Sequence, residues 1–296
     1  MPGGPYQSAA AGTICRNKTL GTEPGTNDVM DQHFTAPSPL AGAPAGALAS
    51  ADAAAVVVDR LLGEGYAFAD GETMRRLIEC AGGTDWDGYA RSWDDLGPDR
   101  FMADGGTYRK RRFACFAAAG GDFTPKPPQP HFQTRDNNPL NGGVARVFEP
   151  VRDDIASHPF NRAVMTACLH VFTEATPRTR RPAAWHVEMH QFRIEARPGM
   201  SGRPTPEGLH RDGVDWVLVL MVRRENVADG VTTIADADRR PLASVTLSEP
   251  LDASLADDHR VFHGVSPITA VDPERPAFRD VLVMTFRGED PGEGGA

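Results

Sequence analysis

His210, Arg211 and Asp212 stand between a Gly/Pro-rich loop, residues 198–208, and an apolar run that begins at Val214. On extended backbone, residues two apart share a face, so this imidazole and this carboxylate can converge on one small ion. Two imidazoles and a carboxylate on one face of an octahedron, with open positions opposite, form the donor set of non-haem Fe(II) sites. The second imidazole must come from elsewhere, and His263, in the β-rich run 260–265, is the natural candidate. The pair alone carries little weight, because a lone HxD is equally well a solvated strand end. His186 and Glu188 make a rival pair of the same shape, but Glu188 sits mid-strand with no open loop beside it and is expected to make a structural hydrogen bond. His186 and His190 would be neighbours only on a helix. Their run, HVEMHQFRI, is β-like and separates them by roughly 13 Å, and no HExxH is present.

A cation completes the set. Arg279 opens the last β-rich run, followed by Asp280 and Val281–Met284. A planar guanidinium at a sheet mouth can grip a carboxylate through two parallel hydrogen bonds, or simply pair with Asp280 at the surface. Arg275 is less suited, since Pro276 follows it and places it in a loop.

These residues need a frame. Ser50 is expected to cap a helix through Ala53–Leu62 that ends at Gly63 and Gly65, and a second helix fits Glu72–Cys80. Residues 102–150 are punctuated by Gly and Pro around one apolar run, Phe113–Ala119, and helical spacing returns over Asn161–Glu174. After Pro182 the texture becomes β-rich: 186–194, 214–222, 231–234, 243–247, 260–265 and 281–286, separated by turn residues. The expected class is α+β, helices first and then a mainly β core arranged as a sandwich or barrel.

Composition narrows the classes. The chain has 296 residues, a net charge of −9, 30 Gly and 25 Pro. An acidic balance argues against a nucleic-acid partner, whose phosphates need a positive face. No run approaches the ~18 apolar residues of a membrane span, and no secretory signal opens the sequence. Four scattered cysteines without a CxxC pair argue against a disulfide framework or a structural zinc site and fit a reduced, cytoplasmic enzyme. Residues 1–48, rich in Ala, Gly and Pro, are expected to be a disordered tail, 49–287 a single folded domain and 288–296 a flexible end.

The segments PEGLHRDGVDWVLVLMVRREN, GVTTI, DDHRVFHGVSPI and FRDVLVMTF resemble the 2-oxoglutarate/Fe(II) dioxygenases that hydroxylate free amino acids, such as isoleucine 4-hydroxylases and pipecolic acid hydroxylases. The resemblance extends through DGGTYRKRRFACF, NPLNGGVARVFEP and WHVEMHQFRI, covering roughly residues 90–287. It implies a double-stranded β-helix (jelly roll, cupin-like) with N-terminal flanking helices. It further implies Fe(II) held by His210, Asp212 and His263, with 2-oxoglutarate bound by Arg279 and O2 as oxidant. The implied substrate is a small amino acid, aliphatic or cyclic. Its zwitterion calls for a cation and, close to it, an anion or a carbonyl. Arg193 and Gln191, on one strand face, and the YRKRR cluster that runs from Tyr108 to Arg112 are candidates for the carboxylate side, and Asp215 for the ammonium. A metalloenzyme of another class on the same ligands, a peptide or protein hydroxylase, and a non-catalytic binding module are the alternatives.

Overall fold

The computed structural model describes residues 45–289, all within one compact unit. In chain order the elements are α1 (Ala45–Glu64), β1 (Tyr66–Ala69), α2 (Gly71–Cys80), α3 (Trp86–Arg91), β2 (Arg109–Ala119), β3 (Asp122–Pro125), α4 (Asp153–Ala156) and α5 (Pro159–Ala175). There follow β4 (Ala184–Ala196), β5 (Trp216–Glu225), β6 (Val227–Asp229), β7 (Thr232–Ala235), β8 (Pro241–Val245), β9 (Ala253–Asp257), β10 (Phe262–Val265), β11 (Ile268–Ala270) and β12 (Ala277–Glu289).

Seven strands form one antiparallel sheet in the order β1-β9-β5-β12-β4-β2-β3, faced by smaller sheets β10-β7-β8 and β11-β6. This is the double-stranded β-helix the resemblance implies. The alternation of side chains along a strand divides the large sheet into two chemistries. On β4, Trp185, Val187 and Met189 join the hydrophobic core beneath the helices, while His186, Glu188, His190, Phe192 and Ile194 face a cavity on the other side. On β12, Leu282, Met284 and Phe286 point to the core, and Arg279, Val281, Val283 and Thr285 to the cavity.

The helices cover the core face. Asp70 caps α2 by accepting from the Thr73 backbone N–H at 2.8 Å, and Met74, Leu77 and Ile78 supply its buried stripe. α5 buries Phe160, Val164, Cys168, Val171 and Phe172, and Phe172 stacks on Trp216 with ring centroids 5.3 Å apart.

Several expectations shift. α1 begins at Ala45, because the alanines before Ser50 extend the helix, so Ser50 lies within it and does not cap it. Residues 45–48 are therefore helical, and the remainder of the expected tail, 1–44, lies outside the described residues. β12 runs to Glu289, taking two residues of the expected C-terminal end; 290–296 are likewise outside the described residues. Strands are not confined to the second half, since β1, β2 and β3 belong to the large sheet. Arg279 is the third residue of β12, not its opening residue. No helix among the described residues is long and apolar enough to cross a membrane.

Candidate metal centre and cavity

His210 and His263 face each other directly across an antiparallel bridge. The His210 N–H donates to the His263 carbonyl at 2.9 Å, and the His263 N–H donates back at 3.0 Å. Such a reciprocal pair fixes both side chains on one face, with ring centroids 4.5 Å apart. Asp212 then closes the group: its Oδ2 is 3.4 Å from His263 Nε2 and its Oδ1 is 3.7 Å from His210 Nε2. The three donor atoms lie within 4.8 Å of one another, with His210 and His263 buried and Asp212 half-buried. Cis ligands bonded at ~2.1 Å sit about 3 Å apart, so a transition-metal ion fits with small side-chain adjustments.

The backbone around the group is built for it. His210 Nδ1 lies 3.0 Å from the Gly208 carbonyl, which can accept only its proton, so Nε2 is left with its lone pair toward Asp212. Asp258 accepts from the backbone N–H groups of Asp212, Gly213 and Val214 at 3.0, 2.7 and 3.1 Å and holds the loop. Gly213 has a φ of +80°, a left-handed turn that directs the chain from the HxD pair into β5. A Cβ on Gly264 would approach the Gly208 carbonyl oxygen to 2.9 Å, so the close pairing beside the two histidines requires glycine there. Burial opposes the charge on Asp212, but the His263 hydrogen bond and the neighbouring imidazoles outweigh it and hold the carboxyl well below the usual range. Gln133 Nε2 donates to Asp212 Oδ1 at 2.9 Å and sets the carboxylate plane.

Arg279 lines the same cavity, of about 1100 Å³, and is 1 % exposed. Its Nε and Nη2 have no hydrogen-bond partner. Burial, with Arg224 across the strand pair adding repulsion, pushes its guanidinium down to about 10. A buried cation without an acceptor requires an anion, which fits a carboxylate-bearing ligand beside the metal group. Asp280 is not its partner: it faces the opposite side of β12 and accepts from Arg193 Nε at 2.7 Å and Arg223 Nη2 at 3.1 Å.

The expected substrate contacts are placed elsewhere. Arg193 shares the helix-side face of β4 with Gln191 and is engaged by Asp280 and by Asp94 at 2.9 Å, while Gln191 donates to Ser92 Oγ at 2.8 Å. Tyr108 is packed in a small apolar cluster and donates to Asp104 at 2.6 Å. Arg112 ties down the Asp95 and Pro150 carbonyls at 2.9 and 3.1 Å. Asp215 accepts from the Gly288 N–H at 2.7 Å and lies 2.8 Å from His259 Nε2. None of these five lines the cavity.

Other residues line the cavity, among them two from within the YRKRR cluster. Arg109 and Arg111, alternate members of YRKRR, turn into the cavity, as do His131, Gln133, Asn138, Arg146 and Glu188. The parity of strand β2 is the one signal that could have separated Arg111 from Arg112. Glu188 is not an isolated structural residue: His131 Nδ1 lies 3.1 Å from its Oε2, and His186 and His190 flank it at 3.6 Å. Two further groups around Glu188 have metal-like spacing. In each, a histidine Nδ1 already accepts from a cation, Arg111 at His190 and Lys126 at His186, so the nitrogen facing Glu188 carries the proton. That chemistry favours hydrogen bonding to Glu188 over metal ligation.

Comparison with known proteins agrees with this geometry. An L-isoleucine-4-hydroxylase of Bacillus thuringiensis is 27% identical over 157 residues, covering 53% of this chain and 64% of that protein, so the match spans slightly less than two thirds of the relative. A 3(1)-hydroxy-L-isoleucine 4-dioxygenase of Pantoea ananatis (strain AJ13355) is 26% identical over 58% of this chain and 70% of its own length. A crystal structure of a bsmA homolog from Methylobium petroleophilum PM1 superposes with a TM-score of 0.72 at 34% identity, covering 80% of this chain and 94% of that one. The family model described as 2OG-Fe dioxygenase matches residues 90–285, from ahead of β2 into β12 and including His210, Asp212, His263 and Arg279, and the chain therefore belongs to the 2OG-Fe dioxygenases.

Proposed function

We propose that this enzyme hydroxylates an unactivated C–H bond of a free L-amino acid, aliphatic or cyclic, with 2-oxoglutarate and O2 as co-substrates. The observation that carries the reading is the convergence of His210, Asp212 and His263 in the cavity that also holds the unpartnered guanidinium of Arg279. The isoleucine chemistry in the names of two relatives supports the substrate class.

His210 and His263, through their Nε2 atoms, and Asp212, through its carboxylate, would hold Fe(II), and Arg279 would hold the carboxylate of 2-oxoglutarate remote from its keto group. Bound iron supplies the redox chemistry that couples decarboxylation of 2-oxoglutarate, to succinate and CO2, with insertion of one oxygen atom into the substrate C–H bond. The chain's own part is positional. Gln133 orients Asp212, Asp258 holds the loop that carries it, and the His210–His263 bridge keeps both rings on one side. Phe192, Val219, Val281 and Val283 give the cavity an apolar wall on which a hydrocarbon side chain can rest away from water.

The test is turnover. Purified enzyme with Fe(II), ascorbate and 2-oxoglutarate should convert a member of a panel (isoleucine, leucine, methionine, proline, pipecolate) to a product heavier by 16 Da, with succinate in equal amount. A panel without turnover counts against the substrate class. Peptide hydroxylation in preference to the free amino acid would assign the site to the peptide class.

A further inference from the structure

A second set of cations, each with one nitrogen that lacks an acceptor, stands apart from Arg279. β2 directs Arg109 and Arg111 into the cavity, and Arg146 joins them through a reciprocal backbone bridge with His131. All three are buried, at 6, 3 and 3 % exposure. Asp99 lies 2.7 Å from Arg109 Nε and 3.7 Å from Arg111 Nη1, while Arg146 has no carboxylate in contact with it among the described residues. Arg109 Nη2, Arg111 Nε and Arg146 Nε lack any acceptor. Burial, then repulsion from Arg109, lowers the affinity of Arg111 and Arg146 for their protons, as expected of cations awaiting a counter-charge.

The donors are held rigid. The Arg111 guanidinium lies 3.5 Å from the Phe148 ring centroid and 4.5 Å from that of Phe192, and it donates to His190 Nδ1. Arg146 Nη2 donates to Gln133 Oε1 at 2.8 Å, and the other end of that amide donates to Asp212 at 2.9 Å. One amide and two hydrogen bonds therefore span from Arg146 to the metal group, a distance of at most about 8 Å.

An anion faces the same space. Glu188 is half-buried, and the hydrogen bond from His131, with the imidazoles of His186 and His190 flanking it at 3.6 Å, holds its carboxyl well below the usual range against the cost of burial. The cavity thus offers a guanidinium pair and a carboxylate beside an apolar wall, the complement of a zwitterionic head with a hydrocarbon body. Arg279 remains as a separate anion acceptor, so two reactants that each carry a carboxylate have two places to put it.

We propose that Arg111 and Arg146 receive the α-carboxylate of the amino acid and Glu188 its ammonium group. The proposal rests on the amino-acid reading above and deepens it. It anchors the head of the substrate beyond Gln133 and delivers side-chain carbons, not the α-carbon, to the metal. Arg109 neutralises Asp99 and keeps that carboxylate from occupying the site.

The test separates head-group recognition from co-substrate binding. Affinities are measured anaerobically on the Fe(II)/2-oxoglutarate enzyme for the best-turned-over amino acid of the panel, its carboxamide and its N-acetyl derivative. Wild type should prefer the free amino acid at least tenfold over both. Arg146→Gln should raise the Kd of the free amino acid about 10- to 100-fold and erase the preference for acid over amide. Arg146→Lys, which keeps the charge, should fall between. Glu188→Gln should erase the preference for free amine over N-acetyl, and Kd for 2-oxoglutarate should stay within twofold in all three variants. Folded variants that keep both preferences, or that lose 2-oxoglutarate binding instead, overturn the assignment while leaving amino-acid hydroxylation standing. Absence of both binding and turnover across the panel removes both.

Discussion

At the scale of single residues, groups that touch one cavity have separable tasks. Asp212 is the anionic member of the proposed iron set and Arg279 the proposed anchor of the co-substrate. Asp212→Ala should reduce activity below about 1 % of wild type and weaken Fe(II) binding, because an apolar methyl replaces the single anionic donor. Arg279→Gln should instead raise the KM for 2-oxoglutarate about 10- to 100-fold, the range of a charge-assisted hydrogen bond, with metal affinity retained. Equal loss of Fe(II) affinity in the two variants, read by metal titration, would contradict this division. Gln133 touches Asp212 from outside the proposed set. Gln133→Leu should lower kcat about 10- to 100-fold with the iron still bound, as loss of a group that orients a ligand does. An unchanged kcat would mean that the Asp212 plane is set by the loop alone. The HxD spacing, a β-rich partner run and a cation in the following strand made His210, Asp212, His263 and Arg279 candidates in the sequence, but the pair alone was no better than a solvated strand end, and it was the resemblance that joined the four. The structure brings His210, Asp212 and His263 together.

At the scale of elements, strand parity explains what was legible and what was not. Arg193 and Gln191 share a face, as their spacing predicts, but it is the face that meets Asp280 and Ser92. The sequence holds no register, so it could not say that Arg279 lies opposite Ile194 and not opposite Arg193. The residues between β3 and α4 have no period at all, and His131, Gln133 and Arg146 were invisible there until the bridge between His131 and Arg146 placed them. The pairing of the two histidine segments is itself testable. Gly264→Ala would force a Cβ against the Gly208 carbonyl and should cost about 1–3 kcal/mol, with weaker metal binding, measured by thermal unfolding and Fe(II) titration. A variant with wild-type Tm and metal affinity would show that the two segments have room to spare. β4 also carries a pH signature. Burial, reinforced by Arg111, pushes His190 down to about 3 from the 6.5 of an unfolded histidine. As pH falls below 6.5 the unfolded chain takes up a proton that the folded protein refuses until about pH 3, so stability is lost across that window. His190→Gln, which keeps an acceptor for Arg111, should show a smaller decline in Tm between pH 6.5 and pH 3. An equally steep decline would place the acid sensitivity elsewhere.

At the scale of the whole molecule, a sheet of seven strands keeps a hydrophobic face under α1, α2 and α5 and turns a polar, basic face toward the metal group. Among the helices, α5 was readable as an amphipathic stripe and α1 and α2 by the glycines that end them, while α3 and α4 went unread. Among the later strands, β4, β5, β7, β8, β10 and β12 were readable as β-rich runs. The strands β1 and β9 were not, since both are short and rich in alanine, with weak intrinsic β preference, and the sheet supplies their stability. The net charge of −9 says nothing of the cavity, whose interior is lined by buried arginines. Charge at the level of the chain bears on solubility and partners; charge at the level of the cavity bears on substrate. The central claim is that this cavity couples 2-oxoglutarate decarboxylation to C–H hydroxylation of an amino acid. The most direct measurement is mass spectrometry of a turnover mixture under 18O2. The account predicts one labelled oxygen in the amino-acid product and one in succinate, and neither in the Asp212→Ala protein. A product formed without 2-oxoglutarate, or with succinate unlabelled, would contradict it.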